Sequence, residues 1–147
     1  MTTVHESRTR LLYRDVDQMG VLYYARYLEL FEMGRTEFVR SEGFSYRDME
    51  DHLGLMMPVT EARCRYHASL VFDEVALVRT WIAAWTRTTV RYAYEIRSEE
   101  RDVLSATGEC ELACLRKADS RPAAFPEALL ELFRRVAPDA RGRSRRS

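Results

Sequence analysis

Tyr13-Arg14-Asp15-Val16-Asp17-Gln18-Met19-Gly20-Val21-Leu22-Tyr23-Tyr24-Ala25-Arg26-Tyr27-Leu28 is the stretch on which the fold turns. Asp at the first and Gly at the fourth place of Asp17-Gln18-Met19-Gly20 is the signature of a type I turn. Beyond it, apolar positions recur at helical spacing through Tyr24, Tyr27 and Leu28, Phe31, Gly34 and Phe38. The spacing predicts a helix that starts around Leu22 to Tyr24. Leu30 and Met33 widen its apolar stripe, so burial is expected on most of its circumference. Gly34 costs about 1 kcal/mol against Ala in a helix interior, and such a residue is expected where a neighbouring backbone comes close. Gly43 ends the helix in the usual C-terminal way.

Outward from this helix the chain changes period. Ser7 to Tyr13 reads as a first strand, with Leu11 and Tyr13 on one face. A short second helix is expected over Ser45 to His52, capped by Ser45 and closed before Gly54 and Pro58. Val59 to His67, Glu74 to Trp85, Thr88 to Arg97 and Val103 to Arg116 then read as strands. The clearest alternates Thr88, Val90, Tyr92, Tyr94 and Ile96 against Thr89, Arg91, Ala93, Glu95 and Arg97. Connections near Val71–Asp73, Thr86–Arg87 and Ser98–Asp102 are short, which favours antiparallel neighbours. Pro126-Glu127 opens a last helix running to about Val136. The pattern is α+β: one apolar helix, needing cover, and a curved antiparallel sheet able to wrap it. Residues 1–138 make one domain on this reading. Residues 139–147, with four arginines, two serines and a glycine, are expected to be a disordered basic tail. A phosphate-binding arm is the alternative for that tail.

Lys+Arg and Asp+Glu balance at 23 each, so no global field argues for nucleic acid or acidic lipid as a partner. Met1 to Arg10 is too polar for a secretion signal, and no later run is apolar enough to insert in a membrane. A cytoplasmic protein is expected. Cys110 and Cys114, four apart on one strand, would lie about 13 Å apart, beyond the reach of a direct disulfide. With Cys64 they are expected to be buried reduced thiols rather than zinc ligands. No metal cluster and no Gly-rich phosphate loop is visible, so neither metal nor cofactor is expected.

The quoted stretch, with its Asp-x-x-Gly-[hydrophobic]2-[aromatic]-x-x-x-Tyr core and with Glu32 and Arg35-Thr36-Glu37 after it, resembles the 4-hydroxybenzoyl-CoA thioesterase family. Within that family it is most similar to the Tol–Pal-associated short-chain acyl-CoA thioesterases. The resemblance continues at Arg65-Tyr66 through Phe72-Asp73-Glu74 and at Trp85-Thr86-Arg87, and covers most of the chain up to about Arg116. It implies a hot-dog fold, a curved five-stranded antiparallel sheet around a long central helix. It also implies a homodimer or homotetramer with the site at a subunit boundary. The implied reaction is hydrolysis of an acyl-CoA or acyl-carrier thioester, with no cofactor beyond the CoA of the substrate.

The chemistry of the motif can be argued without the family. A thioester carbonyl needs a clamp on its oxygen and an activated attacker at its carbon. The first turn of a helix offers unpaired N–H groups with partial positive charge. A carboxylate held just ahead of that turn, at Asp17, can face the same point, and Gly20 keeps the backbone close to the substrate. By resemblance Asp17 is the nucleophile or general base and the Tyr24 backbone N–H polarises the carbonyl. The plain alternative for Asp17 is a turn residue that caps its own loop. Relatives often carry His where Tyr24 stands; a backbone role survives that change. Tyr27 matches the family's Tyr, though its ring is read first as a core aromatic of the helix. Glu32 can orient a water or pair with Arg35. Arg87 matches a basic turn that in relatives meets the nucleotide phosphates, and Arg65 is a fainter candidate of the same kind. His67 is expected to be silent, and Ser69 stands where relatives carry Pro. Two rivals remain: a hot-dog dehydratase, which would want a His at the helix start where none stands, and a non-catalytic acyl-CoA-binding protein.

Overall fold

The alternation along the clearest strand translates directly into packing. The structure, a computed structural model, describes residues 1–142. In chain order the elements are β1 (His5–Arg10), α1 (Arg26–Ser41), α2 (Tyr46–Leu53), β2 (Leu55–Met56), β3 (Val59–Tyr66), β4 (Val75–Trp85), β5 (Thr89–Ser98), β6 (Val103–Ala113), β7 (Leu115–Arg116) and α3 (Glu127–Val136). A five-stranded antiparallel sheet has the order β1-β4-β5-β6-β3, and β2 pairs with β7 in a small second ribbon. Val90, Tyr92, Tyr94 and Ile96 point from β5 into the core, each at most 1% exposed. Register shifts at Val59/Glu61, Ile82/Ala84 and Ile96/Arg97 bend the strands, as bulges do. The sheet curls around α1.

Two glycines set how closely helix and sheet approach. A Cβ on Gly34 would lie 2.4 Å from Thr80 Oγ1 and 3.0 Å from Val78 Cγ1, so α1 rests directly on the side chains of β4. A Cβ on Gly108 would meet the Phe31 ring at 2.5 Å and the Arg63 carbonyl at 2.4 Å. Phe31 therefore lies flat over β6 and stacks on Tyr94, with centroids 4.2 Å apart. Tyr27, Phe31, Gly34, Arg35, Phe38 and Val39 form the covered face of α1. Leu28 is exposed and Leu30 and Met33 are half-buried. The helix is thus covered on one face and not on most of its circumference: the sheet wraps only the side that Phe31 and Phe38 share.

Element ends depart from the sequence reading in three places. β1 stops at Arg10; Leu11 is buried, and the chain turns through a 3-10 turn at Tyr13–Asp15, where the Asp15 carboxylate accepts the Leu12 N–H at 2.7 Å. Tyr13 is consequently exposed, its ring edge-on to Phe72. α1 begins at Arg26, later than expected. The Leu22 N–H goes to the Leu70 carbonyl (2.8 Å) and that of Tyr23 to the Asp15 carbonyl (3.0 Å), which holds both residues outside the helix. The strand expected to reach Arg116 breaks after Ala113, and Leu115–Arg116 pairs instead with Leu55–Met56. Helix α2 follows the prediction, with Ser45 Oγ accepting the Asp48 N–H at 3.3 Å.

Residues 139–142, the first part of the expected tail, lie against β4. Pro138–Ala140 form a 3-10 turn and Ala140 is buried. The Gly142 N–H donates to the Trp85 carbonyl at 2.7 Å, and the Arg141 guanidinium lies 5.5 Å from the Trp85 ring centroid. A buried indole wants a partner for its N–H and takes cations on its face; Trp85 Nε1 finds the Ala137 carbonyl at 2.8 Å, so the chain beyond α3 is drawn onto β4. The rest of that expected tail, 143–147, lies outside the described residues. The three cysteines are free thiols, Cys110 and Cys114 buried, and burial pushes all three upward, away from thiolate. Among the described residues no helix is long and apolar enough to cross a membrane.

Candidate active site

Asp17 sits in the turn its sequence predicts. The Gly20 N–H closes on the Asp17 carbonyl at 2.9 Å, and Gly20 takes a φ of +78°, where a Cβ would be strained. Asp17 Oδ1 accepts the Met19 N–H at 2.8 Å. One carboxylate oxygen thus fixes the turn, as the structural alternative requires, and among the described residues no hydrogen bond falls to the other. The Asp17 N–H donates to the Val21 carbonyl (2.9 Å).

A second segment, residues 67–74, braces this turn. Val21 bridges to Val71, and the Phe72 N–H reaches the Gly20 carbonyl at 3.3 Å. The brace is anchored in turn by Glu74, which is 5% exposed. Its Oε1 accepts the Val71 N–H and Arg101 Nη2, both at 2.8 Å; its Oε2 accepts Ser98 Oγ (2.6 Å) and Arg101 Nε (2.7 Å). Arg101 Nη2 also donates to the Ser69 carbonyl at 2.8 Å. The Arg101 guanidinium, helped by Ser98 and the Val71 amide, pulls the Glu74 carboxyl down to about 2.

Between the turn, the brace and the start of α1 lies a cleft of about 280 Å³, walled by Asp17, Leu22, Tyr24, Tyr27, Tyr66 and His67 among others. Tyr66 Oη donates to the Tyr24 carbonyl at 2.9 Å, and the Tyr27 ring meets Tyr66 edge-on at 5.0 Å. Tyr27 Oη shares a hydrogen bond with Ser105 Oγ at 2.8 Å, and Ser105 Oγ donates to the Ala68 carbonyl at 2.6 Å. Desolvation of the Tyr66 hydroxyl pushes it up to about 12, so it stays a neutral donor. Of the amides leading into the helix, those of Leu22, Tyr23, Arg26, Tyr27 and Leu28 reach backbone carbonyls. Among the described residues none accepts the N–H of Tyr24 or Ala25.

Asp17, Tyr24 and Tyr27 therefore share one cleft, with Gly20 shaping the turn beside it. The other candidates lie elsewhere in the chain. Glu32 is exposed and lines a separate cavity with Arg35, to which it makes no ion pair. Arg65 is on β3 beside a third cavity that includes Trp81 and Glu109. Arg87 is exposed at the tip of the β4–β5 turn. That turn has no glycine because the Thr86 hydroxyl accepts the N–H groups of Thr88 and Thr89 at 3.2 and 3.0 Å. Reading by sequence gave no role to Tyr66, Ala68 or the Glu74–Arg101 anchor, and it expected His67, which walls the cleft, to be silent. The Arg65-Tyr66 to Phe72-Asp73-Glu74 match was their signal, but no spacing rule says that the two segments meet.

The thioesterase-like superfamily matches residues 11–133, which contain every element from the Asp17 turn through most of α3. The chain belongs to the thioesterase-like superfamily. Its fold is the hot-dog fold, and membership puts it among thioester hydrolases. YneP of Bacillus subtilis (strain 168), provisionally named an acyl-CoA thioesterase, is 33% identical over 125 residues, 85% of this chain and 89% of that protein. YbgC of Haemophilus influenzae, named an acyl-CoA thioesterase, is 27% identical over 84% of this chain and 90% of its own length. Among solved structures, a DHNA-CoA thioesterase from Staphylococcus aureus superposes with a TM-score of 0.78 at 32% identity, covering 92% of this chain and 85% of that one.

Proposed function

We propose that this superfamily member is an acyl-CoA thioesterase in which Asp17 supplies the attacking or activating carboxylate and the Tyr24 N–H, joined by that of Ala25, receives the carbonyl oxygen. The observation that carries the reading is that Asp17 and Tyr24 wall one cleft, and that among the described residues one Asp17 carboxylate oxygen takes no hydrogen bond and the Tyr24 N–H has no acceptor. One such amide is worth roughly 3–4 kcal/mol to a developing oxyanion. Two routes fit. As a nucleophile, the Asp17 oxygen bonds to the acyl carbon, the C–S bond breaks, and the thiolate takes a proton from solvent. Water then cleaves the mixed anhydride and returns the carboxylate. As a general base, Asp17 takes a proton from the water that attacks the same carbon; the C–S bond then breaks and the leaving thiolate takes up a proton as Asp17 returns to the carboxylate. Neither route needs a resident metal or redox cofactor.

The names carried by YneP and YbgC support CoA as the carrier, and Arg87 is assigned to its phosphates because a guanidinium forks well onto them. The sequence likeness to the 4-hydroxybenzoyl-CoA group and its Tol–Pal-associated branch is kept as the narrower form of this proposal. So is a homo-oligomer: β3, like β1, is an edge strand of the five-stranded sheet, and a sheet edge needs covering. A thiol-release assay of the purified protein over short aliphatic, long aliphatic and aromatic acyl-CoAs tests the proposal. Hydrolysis above the uncatalysed rate for at least one class is expected; no release from any CoA thioester or acyl-carrier thioester would overturn it.

A further inference from the structure

Arg35 is the only buried charged residue on α1, with 8% of its surface exposed. Its guanidinium makes, among the described residues, one long hydrogen bond, from Nη1 to Tyr94 Oη at 3.4 Å. Among the described residues no carboxylate lies within 4.0 Å of it. Arg91 is the instructive contrast. It is buried to a similar degree, and the fold surrounds it with Glu61, Glu109 and Glu111 at 3.2, 3.2 and 2.6 Å. A guanidinium does not lose its proton in a protein, and a buried charge without a partner is strongly unfavourable. Its nearest polar neighbours cannot supply the missing charge: burial pushes the Tyr94 and Tyr92 phenols up, and that of Tyr46 to about 12, so all stay neutral.

Arg35 lines a cavity of about 350 Å³ bounded also by Glu32, Arg40, Tyr46, Arg47, Glu50 and Leu112. Arg40 and Arg47 at the rim have counter-charges of their own, Glu37 at 4.0 Å and Asp51 at 3.7 Å. The uncompensated charge is that of Arg35. Tyr46 Oη and Tyr92 Oη share a hydrogen bond at 2.5 Å, and one bond between two hydroxyls leaves a proton over for a further acceptor. None of the residues walling this cavity walls the Asp17 cleft.

We propose that this cavity is a binding site for a small oxyanion, a carboxylate or phosphate group on a free metabolite, held by the Arg35 guanidinium with a Tyr46 hydroxyl as a further donor. The site is independent of the function proposed for the Asp17 cleft. Calorimetric titration of the full chain with inorganic phosphate and with malonate, each at constant ionic strength against chloride, tests it and separates the two oxyanion types. Crystals soaked in selenate locate the anion directly. Saturable binding of at least one anion is expected, with selenate within hydrogen-bond distance of Arg35. Arg35→Gln should weaken binding about tenfold or more, the usual worth of a hydrogen bond to a charged group. Glu32→Gln, which removes a rim carboxylate, should preserve or tighten binding, and it decides the matter if Arg35→Gln does not fold. The proposal is overturned if neither anion gives a saturable signal beyond chloride. It fails equally if Glu32→Gln abolishes binding, or if the crystal shows Glu32 or a side chain of a second copy seated on Arg35.

Discussion

At the scale of single residues, the chain places its charges with care where they hold the candidate site together. Glu74 contributes nothing to the cleft wall itself, yet it fixes the segment on which the Asp17 turn leans, through Val71 and through Arg101 to Ser69. Its carboxyl, held at about 2 against an ordinary 4.5, is depressed in the folded state. The stability it adds is therefore fully present above about pH 4.5 and is lost as pH falls toward 2. Glu74→Gln should flatten that part of the stability–pH curve. At neutral pH it should cost about 2–3 kcal/mol, the figure for a broken buried pair reduced for the exposure of Arg101. Urea unfolding of both proteins at pH 3, 5 and 7 checks this; parallel curves across the range would show that the anchor carries no charge-dependent stability.

At the scale of elements, what was legible in the sequence follows from what governs each element. Strand β5 was readable because Val90, Tyr92, Tyr94 and Ile96 answer only to the period of the pleat. The start of α1 was not, because Leu22 and Tyr23 obey Leu70 and Asp15, partners far along the chain or across a turn. The Asp17 turn was legible from four residues; the Tyr66–Ser69 wall was not, since it meets the turn only after the sheet has curled. The alternation put Arg91 on the face of β5 opposite Val90 and Tyr92, but did not show that three glutamates from β3 and β6 close over it. Gly34 was rightly read as a contact point, though its neighbours are the side chains of Thr80 and Val78 and not a backbone. Gly34→Ala should gain about 1 kcal/mol in helix propensity and lose about 1–3 kcal/mol to overpacking, a net loss. Thr80→Ala in the same chain should return much of it. Denaturant midpoints of the single and double variants measure the coupling; a stabilised Gly34→Ala would mean that α1 does not rest on β4 as described.

For the whole molecule, among the described residues one face of α1 stays uncovered and β3 is an edge strand with no further strand beyond it. Sedimentation equilibrium is expected to give the mass of a dimer or tetramer, whereas a monomer at micromolar concentration would remove the subunit boundary from the proposed function. The central claim is that one carboxylate and the backbone amides at the head of α1 act on one carbonyl. Thiol release from the best acyl-CoA of the substrate panel, compared among the unaltered protein, Asp17→Asn and Tyr24→Phe, tests it most directly. Asp17→Asn should reduce turnover by about 10²–10⁴-fold with the fold retained, while Tyr24→Phe, which keeps the amide, should stay close to the unaltered rate. Near-normal turnover in Asp17→Asn would contradict the account.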